Sequence, residues 1–427
     1  MLSQWLERAR AGEPVWLPDM RAQCVQLPDP IDVTMQLTLC DGTQRDFPLP
    51  LPRWESDDQR QFVLQYVTAC VWNTLSALSG RELAFYFDPA ETETAALLGK
   101  LDTVFQVHEP TRREYGKVVS IADRLCRAFG CGPFAFALRD KRDYVPAPPF
   151  VPPQGALTQQ LRRAAQRCES GVCCGIDIGG TDIKAAVSVD GQLVCVKEYD
   201  WDPASSPTAE GITGPIVLLV RLMACCAAGL TPELRRALDK NAPDDLMARA
   251  VAASPALPLD VLGVSFPDVV IRDRIVGGES PKTRGMRQNP ALDYEAAFAR
   301  LGDLLTLLRP YCRRGAAVHM TNDGHIAAFT AAAELAWQGD PDLSGGVVAH
   351  ALGTDFGMGY LYGDGSIPEM PVELYDFLLD LGSFPQRELS PDDLRSTRNE
   401  NSGLPGARRY VGQAAAFRLA YEADPSL

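Results

Sequence analysis

The segment GIDIGGTDIKAAVSVDG (175–191) places two adjacent glycines, a threonine and two aspartates at what reads as the bend between two strands. Glycine lets a backbone approach a ligand closely and adopt positive φ. The N–H groups exposed at such a bend form an anion nest, to which a threonine hydroxyl adds a donor. Gly179, Gly180 and Thr181 are therefore candidates for holding phosphate. HALGTDFGMGYLYGDG (350–365) repeats the pattern with Gly353, Thr354 and Gly357, and it closes on Asp364-Gly365 as the first closes on Asp190-Gly191. Each segment by itself reads equally as an ordinary hairpin turn. As a matched pair they favour two loops that grip a polyphosphate from both sides. Asp177 and Asp182 would repel phosphate directly, so a carboxylate here suits a hydrated Mg²⁺, and Asp177 is the candidate.

A third segment, AAVHMTNDGHIAAFTAAAELA (316–336), reads as a strand, then Thr321-Asn322-Asp323-Gly324, then a helix. Asp323 at that junction could take the proton of a substrate hydroxyl as it attacks a phosphoryl group. Thr, Asn and Asp are equally the residues that cap a helix N-terminus, and both readings stand. GGESPKTRGMRQNP (277–290) gathers Lys282, Arg284 and Arg287 within six residues. They could hold an anionic group on a ligand by charge-assisted hydrogen bonds. A solvated basic loop paired with surface acids is the alternative.

The elements that would carry these residues follow from periodicity and punctuation. YVPAPPFVPPQG (144–155) has too many prolines for a helix or central strand and reads as a linker. Before it, VTMQLTLCDGTQRDFPLPLP (33–52) alternates like a strand pair across an Asp-Gly turn. A helix over 57–80 and a strand over 81–88 follow, and the order helix, glycine, strand recurs over 115–140. After the linker, seven strand-like segments alternate with helical ones, among them 214–230, 293–312 and 324–338. Such alternation predicts α/β architecture. The division expected is an α+β domain over 1–143, a linker and helix over 144–170, and lobes over 171–337 and 338–427.

Composition sets outer limits. A chain of 427 residues, 46% hydrophobic and 22% charged, is long enough for two or three domains. Its net charge of −14 argues against nucleic acid as a partner, since no basic face is available to neutralise phosphates. The N-terminus lacks the apolar run of a secretory signal. The apolar segment 214–230 carries Arg221 at its middle, so it reads as a buried helix and not a membrane span. Cytoplasmic location is expected, with no membrane partner and with homo-oligomerisation left open. The 12 cysteines include two vicinal pairs and no CxxC, which favours reduced, mostly buried thiols over a metal or disulfide framework.

DIGGTDIK (177–184), SFPD (265–268), TNDGHIAAFTAAAELA (321–336) and LGTDFGMGYLYGDG (352–365) occur in the order found in ROK-type sugar kinases, and over roughly 172–375 the chain resembles that family. The resemblance implies a ribonuclease H-like, two-lobed actin-like ATPase fold, with ATP and Mg²⁺ held between the lobes. It implies a sugar or sugar-like hydroxyl as phosphoryl acceptor, Asp323 as catalytic base and Asn322 as a sugar contact. Gly179, Gly180 and Thr181 match the family's first phosphate loop, and Gly353, Thr354 and Gly357 its second. Glu373 corresponds to the sugar-binding glutamate, with Glu369 a competitor. The family's structural zinc is not expected, because no histidine follows His350 and no cysteine follows Cys312. Nor does a glycine-rich adenosine loop appear in the last twenty residues, so the second lobe reads as truncated. A non-catalytic sensor that binds sugar or nucleotide in a degenerate kinase fold is the alternative. Repressor relatives carry an N-terminal DNA-binding module, but residues 1–143 show no basic recognition helix.

Overall fold

The structure, a computed structural model, describes residues 1–108, 114–278, 280–339, 341–352, 356–385, 406–407 and 410–426. The chain divides into two compact units. One comprises 1–151, 351–358 and 370–427; the other comprises 152–350 and 359–369.

The first unit begins with α1 (Leu2–Ala11) and α2 (Leu17–Val25). Strands β1 (Thr34–Thr38) and β2 (Gln44–Pro48) pair antiparallel, with Thr38 opposite Gln44 across the Asp41-Gly42 turn. The long α3 (Asp57–Leu78) leads to β3 (Glu82–Phe87), and α4 (Thr92–Leu98), α5 (Leu101–Val104) and α6 (Gly116–Phe129) lead to β4 (Ala135–Asp140). The sheet order is β2-β1-β3-β4, and β3 and β4 run parallel. The two helix-glycine-strand segments thus end in neighbouring parallel strands. Ser56 caps α3 by accepting from the Gln59 N–H at 3.3 Å, and Phe62, Tyr66 and Trp72 bury its inner face. Chain from 370 onward is stitched into this unit. Trp72 Nε1 donates to the Asp376 carbonyl at 2.7 Å, the Val15 N–H donates to Asp380 Oδ1 at 2.8 Å, and Lys117 forms a buried ion pair with Asp376.

The second unit opens with α7 (Leu157–Cys168). Three antiparallel strands follow: β5 (Val172–Ile178), β6 (Asp182–Val189) and β7 (Gln192–Asp200). Asp190 and Gly191 both have positive φ (47° and 75°), the conformation that two-residue hairpin turns require. After α8 (Ala209–Ala228), α9 (Pro232–Ala237) and α10 (Asp244–Ala252) comes β8 (Leu259–Phe266), parallel to β5. A short ribbon of β9 (Val270–Ile271) and β10 (Arg274–Ile275) precedes α11 (Arg284–Gln288), α12 (Tyr294–Gly302) and α13 (Leu304–Leu308). Then β11 (Cys312–Asn322) pairs parallel with β8 and passes straight into α14 (Asp323–Gln338). The five-stranded order is β11-β8-β5-β6-β7. A two-stranded hairpin, β12 (Val347–Leu352) and β13 (Phe356–Leu361), follows.

The apolar helix α8 is a core element. Ile212, Ile216, Leu219, Val220, Leu222 and Met223 are buried against the sheet, each side chain contributing about 2 kcal/mol on transfer from water. The single helix expected over 293–312 is broken into α12, α13 and a 3-10 turn, a correction with a local cause. Gly302 lies so close to the Ile275 carbonyl that a Cβ would stand 3.1 Å from its oxygen, and the chain redirects there. Of residues 338–427, 338–350 and 359–369 cluster with the second unit and 351–358 and 370–427 with the first.

Candidate functional site

Strands β5, β8 and β11 are parallel neighbours, so their carboxyl ends share one edge of the sheet, where open α/β sheets bind ligands. Register sets the level of each side chain. Ser265 stands opposite both Asp177 and Thr321, and Asn322 stands opposite Phe266. Asp177 is exposed and takes no hydrogen bond or ion pair from the described residues; its cross-strand neighbour is Lys184. Ser265 is 4% exposed, and its Oγ has no hydrogen-bond partner among the described residues. Both line a cavity of about 550 Å³ with Lys184, Glu198 and Ile326. Ser265 belongs in the site although its chemistry was not read from the sequence. Its signal was the alternation of VLGVSF, which puts it on the same face as Gly263.

The first glycine-rich bend is built tightly. Neither Gly179 nor Gly180 has positive φ, a correction to the conformation expected of this loop. Gly179 is required by close approach, because a Cβ there would lie 2.8 Å from both Asp182 O and Asp182 Oδ1. Gly180 is under no such constraint: its Cβ would meet only Lys282 Cε, at 3.6 Å. The N–H groups of Gly180 and Thr181 donate to nothing among the described residues, whereas the Thr181 carbonyl accepts from the Trp201 N–H at 3.0 Å. Asp182 is held by Lys184 in an ion pair, which leaves Asp177 as the carboxylate of this bend without a partner among the described residues.

Asn322 caps α14: its Oδ1 accepts from the Gly324 N–H at 2.8 Å, and its Nδ2 donates to the Asp268 carbonyl at 2.9 Å. Asp323 Oδ1 shares the Gly324 N–H at 2.9 Å, and Oδ2 accepts nothing from the described residues. Asp323 keeps exposed surface, yet protein crowds its carboxyl and raises its pKa above the usual carboxylate range. Lost hydration is the largest cause, and Asp177 and Asp268 add repulsion. The Lys282 charge and the Gly324 N–H oppose them.

The basic loop is braced from inside. Asp268 Oδ1 accepts from Val269 N–H at 2.8 Å and Oδ2 from Gly278 N–H at 3.0 Å. Arg287 donates to the carbonyls of Gly278 and Ser280, each at 2.8 Å, and to Thr283 Oγ1 at 2.6 Å. Lys282 Nζ donates to the Pro267 carbonyl at 2.9 Å, beside Gly180 and within electrostatic reach of Asp323. Arg284 is half-buried at the start of α11. Of the three cations, Lys282 is the one set among the phosphate-loop and base candidates, while Arg287 holds the loop in shape.

The remaining candidates fall elsewhere. Glu369 forms a two-bond ion pair with Arg272, at 2.7 and 3.0 Å. Glu373 belongs to the other compact unit, where its N–H donates to the Ser76 carbonyl at 3.0 Å. Gly353 and Thr354 lie outside the described residues, and Gly357 sits in β13.

No family model and no curated protein matches this chain. Among solved structures it is similar to the inorganic polyphosphate/ATP-glucomannokinase of Arthrobacter sp. strain KM, at 19% identity over 59% of this chain and 72% of that one, with a TM-score of 0.30. It is similar also to the ROK hexokinase of Thermus thermophilus, at 17% identity over 59% and 63% of the two chains, with a TM-score of 0.30. A glucokinase from Balamuthia mandrillaris in complex with glucose gives 12% identity over 63% and 70%, with a TM-score of 0.33. These neighbours are sugar kinases, the group the sequence motifs resemble. At such scores the likeness carries no functional assignment, and only the chemistry of the site can supply one.

Proposed function

We propose that this chain transfers the γ-phosphoryl group of ATP to a sugar or sugar-like hydroxyl, with Asp323 as general base. The observation that carries the reading is Asp323 itself. Among the described residues one carboxylate oxygen is unengaged, the pKa is raised, and Asp177 and Lys282 lie within its electrostatic reach at the carboxyl edge of three parallel strands. A raised pKa makes a carboxylate a better proton acceptor near neutral pH. In the proposed reaction the acceptor hydroxyl gives its proton to Asp323 Oδ2 as its oxygen bonds to phosphorus. The bond from phosphorus to the β–γ bridging oxygen breaks, and ADP leaves with those electrons.

The chain's own groups would position and neutralise. The N–H groups of Gly180 and Thr181 and the Thr181 hydroxyl would hold phosphate oxygens, and Lys282 would balance developing charge. Asp177, exposed and without a partner among the described residues, fits a water-mediated contact to Mg²⁺, which when bound would screen the phosphate charge. Asn322 would orient Asp323 through the cap of α14, with one amide hydrogen left for a substrate hydroxyl.

A sensor that binds sugar or nucleotide without turnover is the second reading. It is favoured by one observation: the only sheet that the described residues form after α14 is the hairpin β12–β13. Calorimetry with a non-hydrolysable ATP analogue and Mg²⁺ separates the two. Analogue binding that weakens when Thr181 is changed to Val, together with sugar-dependent release of ADP from ATP, supports the kinase reading, and binding without that release supports the sensor. Absence of binding at millimolar analogue overturns it in favour of the sensor.

A further inference from the structure

Three cysteines far apart in the sequence meet in the first compact unit. Cys40 follows β1, Cys126 lies in the last turn of α6, and Cys131 follows that helix. Their sulfurs all lie within 4.8 Å of one another, with Cys40 Sγ and Cys126 Sγ 3.6 Å apart, and none is in a disulfide.

The backbone explains the meeting. Gly130 ends α6 in the left-handed region, at φ 72°. Its N–H bonds to the Arg127 carbonyl at 3.2 Å, and the Cys131 N–H bonds back to the Cys126 carbonyl at 2.9 Å. That pair of bonds is a Schellman cap, which brings the residue after the glycine over the residue five before it. Here the paired side chains are both thiols. Asp123 Oδ1, accepting from the Phe134 N–H at 2.8 Å, fixes the chain beyond the cap. Cys40 comes from the strand side. Gly80 is pressed against β1, where a Cβ would lie 2.8 Å from Thr38 O, and its carbonyl stands 3.6 Å from Cys126 Sγ.

The spacing suits a metal. Zinc–sulfur bonds of about 2.3 Å put thiolates about 3.8 Å apart in a tetrahedron and about 4 Å apart in a trigonal plane. Cys126 is fully buried while Cys40 and Cys131 are half-buried, so the cluster has a path from solvent. Among the described residues no histidine or carboxylate joins the set, which leaves a fourth position for water.

We propose that Cys40, Cys126 and Cys131 form a three-thiolate site for a soft, thiophilic cation, Zn²⁺ or Cu⁺. Binding releases the thiol protons to solvent and needs no change of oxidation state. The site is independent of the sugar-kinase reading.

The test uses the full-length protein, reduced, freed of metal and kept under argon. Zn²⁺ and Cu⁺ are titrated separately against colorimetric chelators, and Co²⁺ loading is followed by its thiolate charge-transfer absorption. One equivalent of either cation should bind, and Cys40→Ser and Cys131→Ser should each weaken it about a hundredfold or more. Cys168→Ser, at an exposed thiol outside the cluster, should leave binding unchanged. Both substituted cluster thiols are half-buried, and unchanged far-ultraviolet circular dichroism confirms that the variants fold. Preference for one chelator arm names the cation. Weak binding in both arms, or binding indifferent to Cys40→Ser and Cys131→Ser, overturns the proposal, as does a Cys40–Cys126 disulfide whose reduction restores no metal affinity.

Discussion

Lys282 is the positive charge nearest in effect to Asp323: it opposes, more than any other group, the crowding that raises the Asp323 pKa. Its Cε also lies 3.6 Å from where a Cβ on Gly180 would stand. One side chain therefore links the phosphate-loop and base candidates. Lys282→Met should raise the Asp323 pKa further, because an attraction favouring the carboxylate is lost while the repulsion from Asp177 and Asp268 remains. In kinase assays the acid limb of the pH–rate profile should move to higher pH, and kcat/KM should fall on the order of a hundredfold. An unmoved limb would separate the two residues functionally.

Asp323→Asn separates chemistry from stability. General-base removal should cost about 10²–10⁴ in kcat while sugar binding persists. The fold should respond oppositely. A carboxyl whose pKa is raised on folding is penalised whenever it is ionised, so at pH 7 the variant should melt at higher temperature than the parent. Below about pH 3 the carboxyl is protonated in both states and the difference should vanish. Asn keeps an Oδ1 to accept from the Gly324 N–H, so the helix start is not disturbed. Thermal melts across that range provide the check; a lower melting temperature at pH 7 would contradict the crowding argument.

Two glycine substitutions should give opposite phenotypes. A Cβ on Gly277 would lie 1.6 Å from Asp268 Oδ1, so Gly277→Ala must displace the carboxylate that ties 268–269 to 278. A loss of about 2 kcal/mol or more in urea unfolding is expected. Gly180→Ala meets only ordinary contact at 3.6 Å and should fold normally. It should instead weaken binding of the ATP analogue, since the methyl group occupies the approach to the bend. Equal destabilisation by both would show that Gly180 serves packing.

Much of the α/β core could be read from period and punctuation, because its elements are local. β5, β6 and β7 follow from the alternation of GVCCGIDIG, IKAAVSVD and QLVCVKEYD, and the Asp190-Gly191 turn from its dipeptide. The junction at Asp323 was legible for the same reason. What stayed hidden depends on register between distant strands. Nothing local shows that Ser265 stands level with Asp177 and Thr321. Likewise the backbone of Glu373 is tied to the Ser76 carbonyl, a partnership some three hundred residues apart. The cysteine cluster escaped because spacing rules look for close pairs, whereas Cys40 joins Cys126 across 86 residues.

Ser265→Ala should stabilise the fold and impair the site. The buried Oγ has no partner among the described residues, so its removal relieves a desolvation cost of about 1 kcal/mol. Ser265 lines the cavity together with Asp177, and affinity for Mg²⁺ with the ATP analogue should fall severalfold. A variant that is destabilised and binds normally would make Ser265 a packing residue.

His325 sets the acid limit of the second unit. It is 4% exposed, its Nδ1 accepts from the Tyr360 N–H at 3.1 Å, and burial lowers its pKa from 6.5 to about 4. Above pH 6.5 the imidazole is neutral both in the native protein and in the unfolded chain. As the pH falls below that value the unfolded chain takes up a proton that the native state refuses. Stability is therefore lost progressively until the native imidazole titrates near 4, by an amount on the order of 3 kcal/mol. His325→Asn places Oδ1 where Nδ1 stood, retains an acceptor for Tyr360 and removes the titration. Urea midpoints measured between pH 7 and 4 should fall less steeply for the variant than for the parent. Parallel slopes would assign the acid sensitivity to other groups and leave His325 a neutral packing residue throughout.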